Sequence, residues 1–175
     1  MEIEILVRNA KAGDKDALVQ LIMAQKQEYY KLAFVYMKNR DDALDAMDDM
    51  IIKLYENIHK LRKDECFYSW SRTILVNRCK MLIKKRSKVI PVERLKEADT
   101  AAYTENTEEL AMLESCMSKL DIKHREVIKL RFYMDMDYQS IADLLKVPLG
   151  TVKSRIHCAI VKLKGLFGGE DYEEA

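Results

Sequence analysis

The residues best equipped for chemistry lie in the run Tyr138-Gln-Ser-Ile-Ala-Asp-Leu-Leu-Lys-Val-Pro-Leu-Gly-Thr-Val-Lys-Ser-Arg155. Thr151, Lys153, Ser154 and Arg155 bring hydroxyl, ammonium and guanidinium donors, the groups that bind phosphate oxygens and base edges. From Lys153 to Lys164 there is no acidic residue, and Lys162 and Lys164 extend the cationic side. A helix of about two turns, a short break and a second helix form a helix-turn-helix, whose second helix enters the major groove by its N-terminal residues. Small Ala142 suits the crossing of the two helices. The alternative is an ordinary helix pair with a solvated basic face. The motif, the break and the one-sided charge together favour DNA.

Other chemistry finds little support. His59, His124 and His157 stand apart, with no paired nucleophile and no Gly-rich phosphate loop, so no enzyme is expected. Cys66, Cys79, Cys116 and Cys158 form neither a Cys-x-x-Cys pair nor a Cys/His cluster of zinc spacing. A reduced protein without metal or cofactor is expected, its cysteines serving as packing residues or, for Cys66 and Cys79, as redox sensors.

The elements that must position these residues are helices. The chain has 175 residues, 49% of them hydrophobic, with only 5 Gly and 2 Pro, which predicts an all-α protein able to build cores. Lys plus Arg (30) nearly cancels Asp plus Glu (29), so the net charge of +1 indicates no partner and charge distribution must decide. No run approaches the roughly 20 apolar residues of a membrane span, and the start lacks a signal-peptide pattern, so a cytoplasmic protein is expected.

Apolar residues at Leu18, Leu21, Ile22, Tyr29, Leu32, Ala33 and Tyr36 predict one long amphipathic helix from Ala17. After Asn39-Arg40-Asp41, the spacing of Ala43, Met47, Met50, Ile51, Leu54, Ile58 and Leu61 predicts a second. Its opposite face carries Asp42, Asp45, Asp48, Asp49 and Glu56. A polar loop from Arg62 to Cys66 leads to a third helix, from about Phe67 to Lys85, whose second half is basic through Arg78, Lys80, Lys84, Lys85, Arg86 and Lys88. Trp70 and Ile74 lie on its apolar stripe, where a Trp is more often core.

Residues 1–90 therefore read as one small domain and residues 91–109, acidic and Thr-rich after Pro91, as a flexible linker. Residues 110–168 read as the helix-turn-helix domain, and residues 169–175 as a frayed acidic tail. Within the second domain Asp121 and Asp137 are expected to cap helices, and Pro148 to occupy the first turn of the last one.

Glu126-Val-Ile-Lys-Leu-Arg131, Tyr138 to Ala142, Pro148 to Arg155 and Ala159 closely resemble the C-terminal domain of extracytoplasmic-function sigma factors. Response-regulator output domains share parts of the Gly-Thr-Val-Lys-Ser-Arg run. The N-terminal half settles the choice: Ala12-Gly13-Asp14, Tyr30-Lys-Leu-Ala33, Asp42-Ala43, Asp45 and the stretch from Phe67-Tyr-Ser-Trp70 to Asn77 look like the family's first domain, in order.

The resemblance implies a subunit that brings RNA polymerase core to promoters and helps open them. Its implied partners are the clamp helices of the largest subunit, the flap, promoter DNA and an anti-sigma factor. Asp45, Asp48, Asp49 and Ile52 match the clamp-docking positions, although a charge run is also often just a solvated face. Where relatives often carry Gln-Glu, this chain has Asp48-Asp49. The third helix matches the part that opens the −10 element, where Phe67, Tyr68, Arg72, Asn77, Lys80, Lys84 and Arg86 offer stacking and cationic groups for an unpaired strand. Asp64 and Glu65 fall in the base-selecting loop. For the −35 element the matching residues are Tyr138, Gln139, Thr151, Lys153, Ser154, Arg155, His157 and Cys158. Relatives commonly carry an aromatic residue near His157 and an arginine at Cys158. Two other readings stay open: a DNA-binding regulator using only the C-terminal motif, and a sigma-like interaction protein without promoter activity.

Overall fold

The computed structural model describes residues 2–89 and 107–167, and these form two compact helical units. In the first, α1 (Glu2–Lys11) and α2 (Lys15–Ala24) form a hairpin, followed by α3 (Lys26–Met37), α4 (Arg40–Asn57) and α5 (Phe67–Val89). The second holds α6 (Thr107–Ser118), α7 (Ile122–Ile128), α8 (Tyr138–Leu145) and α9 (Leu149–Leu166). No strand occurs among the described residues.

Local chemistry sets the boundaries. Gly13 turns the chain between α1 and α2 with φ +102, a conformation that suits glycine because it has no Cβ. Asp14 then caps α2 by accepting from the Asp16 and Ala17 amides at 2.9 and 3.1 Å. The long helix expected from Ala17 is two helices, broken at Gln25, whose φ of −120 leaves the helical region. Asn39 caps α4 by accepting from the Asp42 amide at 2.8 Å. The α1 helix, which no apolar stripe had indicated, packs on α2 and on the short 3₁₀ turns at Ile58–Lys60 and Asp64–Cys66.

α3 packs on α4 and α5, and α4 on α5. Tyr29, Leu32, Met50, Leu54, Phe67 and Leu75 of these helices are buried, as is Leu21 of α2. The buried Tyr29 hydroxyl lies 2.7 Å from the Ser71 hydroxyl, which itself donates to the Tyr68 carbonyl at 3.0 Å. Ser71's proton being so used, Tyr29 donates to Ser71. Burial pushes the Tyr29 phenol up to about 12.

In the second unit α6, α7 and α8 all pack on α9. Val127, Leu130, Ile141, Val152 and Ala159 are fully buried, and Ala142 is buried beside them, as the close α8–α9 packing needs. Asp137 caps α8 by accepting from the Ser140 amide at 2.9 Å. Asp121 occupies the corresponding position of α7 but makes no side-chain capping bond. Instead Arg125 closes the end of α6, donating to the carbonyls of Met117, Ser118 and Leu120 at 2.8, 2.6 and 2.9 Å. Pro148 is the residue before α9 rather than within its first turn, and its carbonyl accepts from the Thr151 amide at 2.9 Å.

α6 begins at Thr107, three residues before the Leu110 start that the apolar spacing suggests. The rest of the expected linker, residues 91–106, and the expected tail, residues 169–175, lie outside the described residues.

Candidate nucleic-acid and polymerase interfaces

In α9 the buried Val152, Ile156 and Ala159 face the core, so the opposite side of the helix is fixed outward. That side carries Lys153, Ser154, His157 and Cys158, all exposed. Thr151 and Arg155 sit half-buried at its edges. Cys158 thus points to solvent and does not pack beneath the helix. The turn before α9 is held by Lys146, left-handed at φ 54, and by the Val147 amide donating to the Ala142 carbonyl at 3.1 Å.

The two outer residues of α8 have partners of their own. Gln139 is exposed and donates to Asp143 at 2.9 Å, while the Tyr138 ring lies 5.6 Å from the Arg131 guanidinium. Arg131 also donates to the Met136 carbonyl at 3.0 Å, so it ties the π-helical turn Lys129–Tyr133 to the start of α8.

The acidic helix α4 divides into two rows. Asp45, Asp48 and Ile52 are exposed, three and four residues apart, with Ile52 at 55% exposure although it is apolar. Leu44 and Tyr55 add exposed apolar surface nearby. Two of the expected acids behave otherwise. Asp42, expected on the outer face, is buried and bound by Arg86, because α5 brings a guanidinium to it. Asp49 turns toward α5 and pairs with Arg78 at 2.8 Å.

The α5 set also separates. Phe67 is fully buried, packed against Tyr68 and Trp70 with ring centroids 5.4 and 6.3 Å away, so it is core and offers no surface to a base. Tyr68 is half-buried with its hydroxyl 3.4 Å from the Leu21 carbonyl, and Arg72 donates to Gln25 at 3.1 Å. Asn77, Lys80 and Lys84 are exposed along one side of the helix. Arg86, half-exposed, holds Asp42.

A cleft of about 320 Å³ opens between α4 and α5, lined by Lys53, Asn57, Lys60, Trp70, Ile74, Asn77 and Arg78. Here an aromatic ring, two amides and three cations converge, which is the mixture that holds an unstacked base and its phosphates. Only Asn77 of these is among the strand-binding residues expected from the sequence. Lys53 and Asn57 on α4 and Lys60 in the 3₁₀ turn that follows recur at four and three residues, a polar row that the acidic residues mask in the sequence. Trp70 is half-buried: its ring packs on Phe67 and also walls the cleft.

The loop before α5 is anchored rather than open. Asp64 accepts from Lys11 at 2.5 Å and from Arg8 at 3.2 Å, and these bonds hold its carboxyl below its ordinary value despite some desolvation. Glu65 beside it is exposed. Burial raises the Cys79 thiol to about 12, which leaves it protonated and inert. Among the described residues no cluster of His, Cys, Asp and Glu could hold a metal, and no helix is long and apolar enough to cross a membrane.

Comparison with known proteins agrees with this geometry. Residues 21–89 match the family model for sigma-70 region 2, and residues 116–165 that for sigma-70 region 4. The chain is 30% identical over 165 residues to the RNA polymerase sigma factor SigV of Bacillus subtilis, covering 92% of this chain and 97% of that one. It is 29% identical to the ECF RNA polymerase sigma-E factor of Haemophilus influenzae, covering 87% and 88%. Among solved structures its fold matches the sigma factor RpoE of Bartonella quintana, solved with the anti-sigma factor NepR, at 20% identity and TM-score 0.67, covering 87% of this chain and 97% of that one. The chain belongs to the extracytoplasmic-function type of RNA polymerase sigma factors, the subunits that direct the polymerase to promoters.

Proposed function

We propose that the chain divides promoter recognition between its two units. The outer face of α9, with Lys153, Ser154, His157 and Cys158, reads the −35 element in the major groove, while Thr151 and Arg155 hold flanking phosphates. Tyr138 and Gln139 support the docking from α8. The α4–α5 cleft takes an unpaired base of the −10 element. Asn77, Lys80 and Lys84 hold that strand. The row Asp45, Asp48 and Ile52 docks on core polymerase, because an exposed isoleucine among carboxylates suits a partner surface that is both basic and apolar.

The observation that carries this reading is the α9 face: four exposed residues without an acid, fixed outward by a fully apolar inner side. An anti-sigma factor is a further partner, and its binding would cover one or both DNA-reading surfaces. The chain acts in the cytoplasm, beside polymerase and DNA, and performs no covalent step itself. Run-off transcription with purified core polymerase on a promoter library tests the reading. Transcripts dependent on this chain are expected. Duplex binding without transcripts would favour a plain DNA-binding regulator, and core binding without either would favour an interaction protein.

A further inference from the structure

We propose that Arg78 is a phosphate-gripping residue of the α4–α5 cleft and that Asp49 is its positioning residue, not a polymerase contact. The inference rests on reading the cleft as the site of an unpaired strand.

Helix geometry separates Asp49 from the acids around it. Asp45, Asp48 and Ile52 share one row of α4, whereas Asp49 heads the next row, with Lys53 four residues on and Asn57 four beyond that. Lys53 and Asn57 line the cleft, so Asp49 stands at the cleft's end. Its carboxylate lies 2.8 Å from Arg78 Nη2, with the two side chains 34% and 23% exposed. A residue so engaged presents little to a partner on the outer face.

Arg78 lines the cleft beside Asn77, and its fork is incompletely satisfied. Nη2 has Asp49, Nη1 has only the weak acceptor Met81 Sδ at 3.7 Å, and the buried Nε has no hydrogen-bond partner among the described residues. A guanidinium has five N–H donors in a rigid plane. One anchored edge fixes that plane, and a phosphate oxygen entering the cleft takes the Nη1 hydrogens that the sulfur holds only weakly. Without Asp49 the guanidinium would have to be ordered when the strand binds, at the strand's expense in affinity.

The test uses holoenzyme reconstituted with core polymerase and a fluorescent single-stranded oligonucleotide, the one that wild type enriches most from a randomised pool. Arg78→Ala and Asp49→Ala should each weaken capture about tenfold, the loss expected for a charge-assisted bond. The double variant should be no worse than Arg78→Ala, and Asp49→Glu should recover part of the loss. Core affinity should stay unchanged in all four, which also reports folding. Additive losses, or weaker core binding by Asp49→Ala, would overturn the proposal and make Asp49 a polymerase contact. Asn77→Ala separates the levels. If it lowers capture while Arg78→Ala does not, the proposal alone fails; if neither variant lowers capture, the reading of the cleft fails with it.

Discussion

Arg86, near the end of α5, closes two guanidinium nitrogens on the carboxylate of Asp42, in the first turn of α4. Asn39 donates to the same carboxylate and caps the helix by accepting from its backbone amide. Arg86, distant in sequence from the neighbouring Asn39 and Asp42, thus fastens the start of α4 to the end of α5. Arg86 is thereby a clasp between elements rather than primarily a DNA contact.

This clasp makes stability depend on acidity. Burial raises the Asp42 carboxyl, but the Arg86 and Asn39 hydrogen bonds outweigh it and hold the group below its ordinary 3.8. A lowered folded-state value means the stabilisation is complete above that ordinary value and fades as pH falls below it toward the folded one. Asp42→Asn should cost about 1–3 kcal/mol at neutral pH, at the lower end because Arg86 is half-exposed. Thermal unfolding measured from pH 7 to 3 checks both parts: the variant should lose less stability in acid than wild type does. Parallel curves would remove Asp42 as the cause.

Docking to core polymerase should depend on the outer row of α4. Asp48→Lys reverses an exposed charge, and Ile52→Asp removes exposed apolar area, while each shifts folding stability by no more than about 0.5 kcal/mol. Titration of labelled variants with core polymerase should show weaker binding for both. Wild-type affinity in both would mean the row is merely solvated.

Strand opening should depend on Asn77 more than closed-complex formation does. Asn77 is exposed on the cleft wall, and holding an unstacked base is worth about 1–3 kcal/mol. Asn77→Ala should lower transcription from a closed template and recover in part on a template with a pre-melted bubble. Equal losses on both templates would place the residue outside the opening step.

The helix-turn-helix was legible because its information is local. Asp137, the break before Pro148 and the apolar pair Val152 and Ile156 lie within a few turns of one another, and each does locally what its type suggests. Tertiary partners were not legible. Asp42 looks like its acidic neighbours until α5 brings Arg86 to it, and Asp64 looks like a loop carboxylate until α1 brings Lys11 and Arg8. Phe67 reads as a stacking group through the family resemblance, yet the bundle packs that position shut. Gln25 escaped notice because apolar spacing continues across the break and no Gly or Pro marks it.

Cys158 should give this chain an unusual −35 preference. It is exposed on the same side of α9 as Ser154, four residues earlier, and next to His157, so it belongs to the face proposed to read the groove. An arginine at that place can make two parallel hydrogen bonds to guanine O6 and N7. A cysteine has no such fork, and its short side chain leaves the base to be read by apolar contact or not at all. It also carries no charge, so the face loses one phosphate-binding group that an arginine would supply. Selection of −35 sequences from a randomised pool by wild type and by Cys158→Arg tests this. The variant should gain a guanine preference at one position, worth about 1–3 kcal/mol, and bind with steeper salt dependence. Identical selected sequences from the two proteins would show that position 158 faces no base.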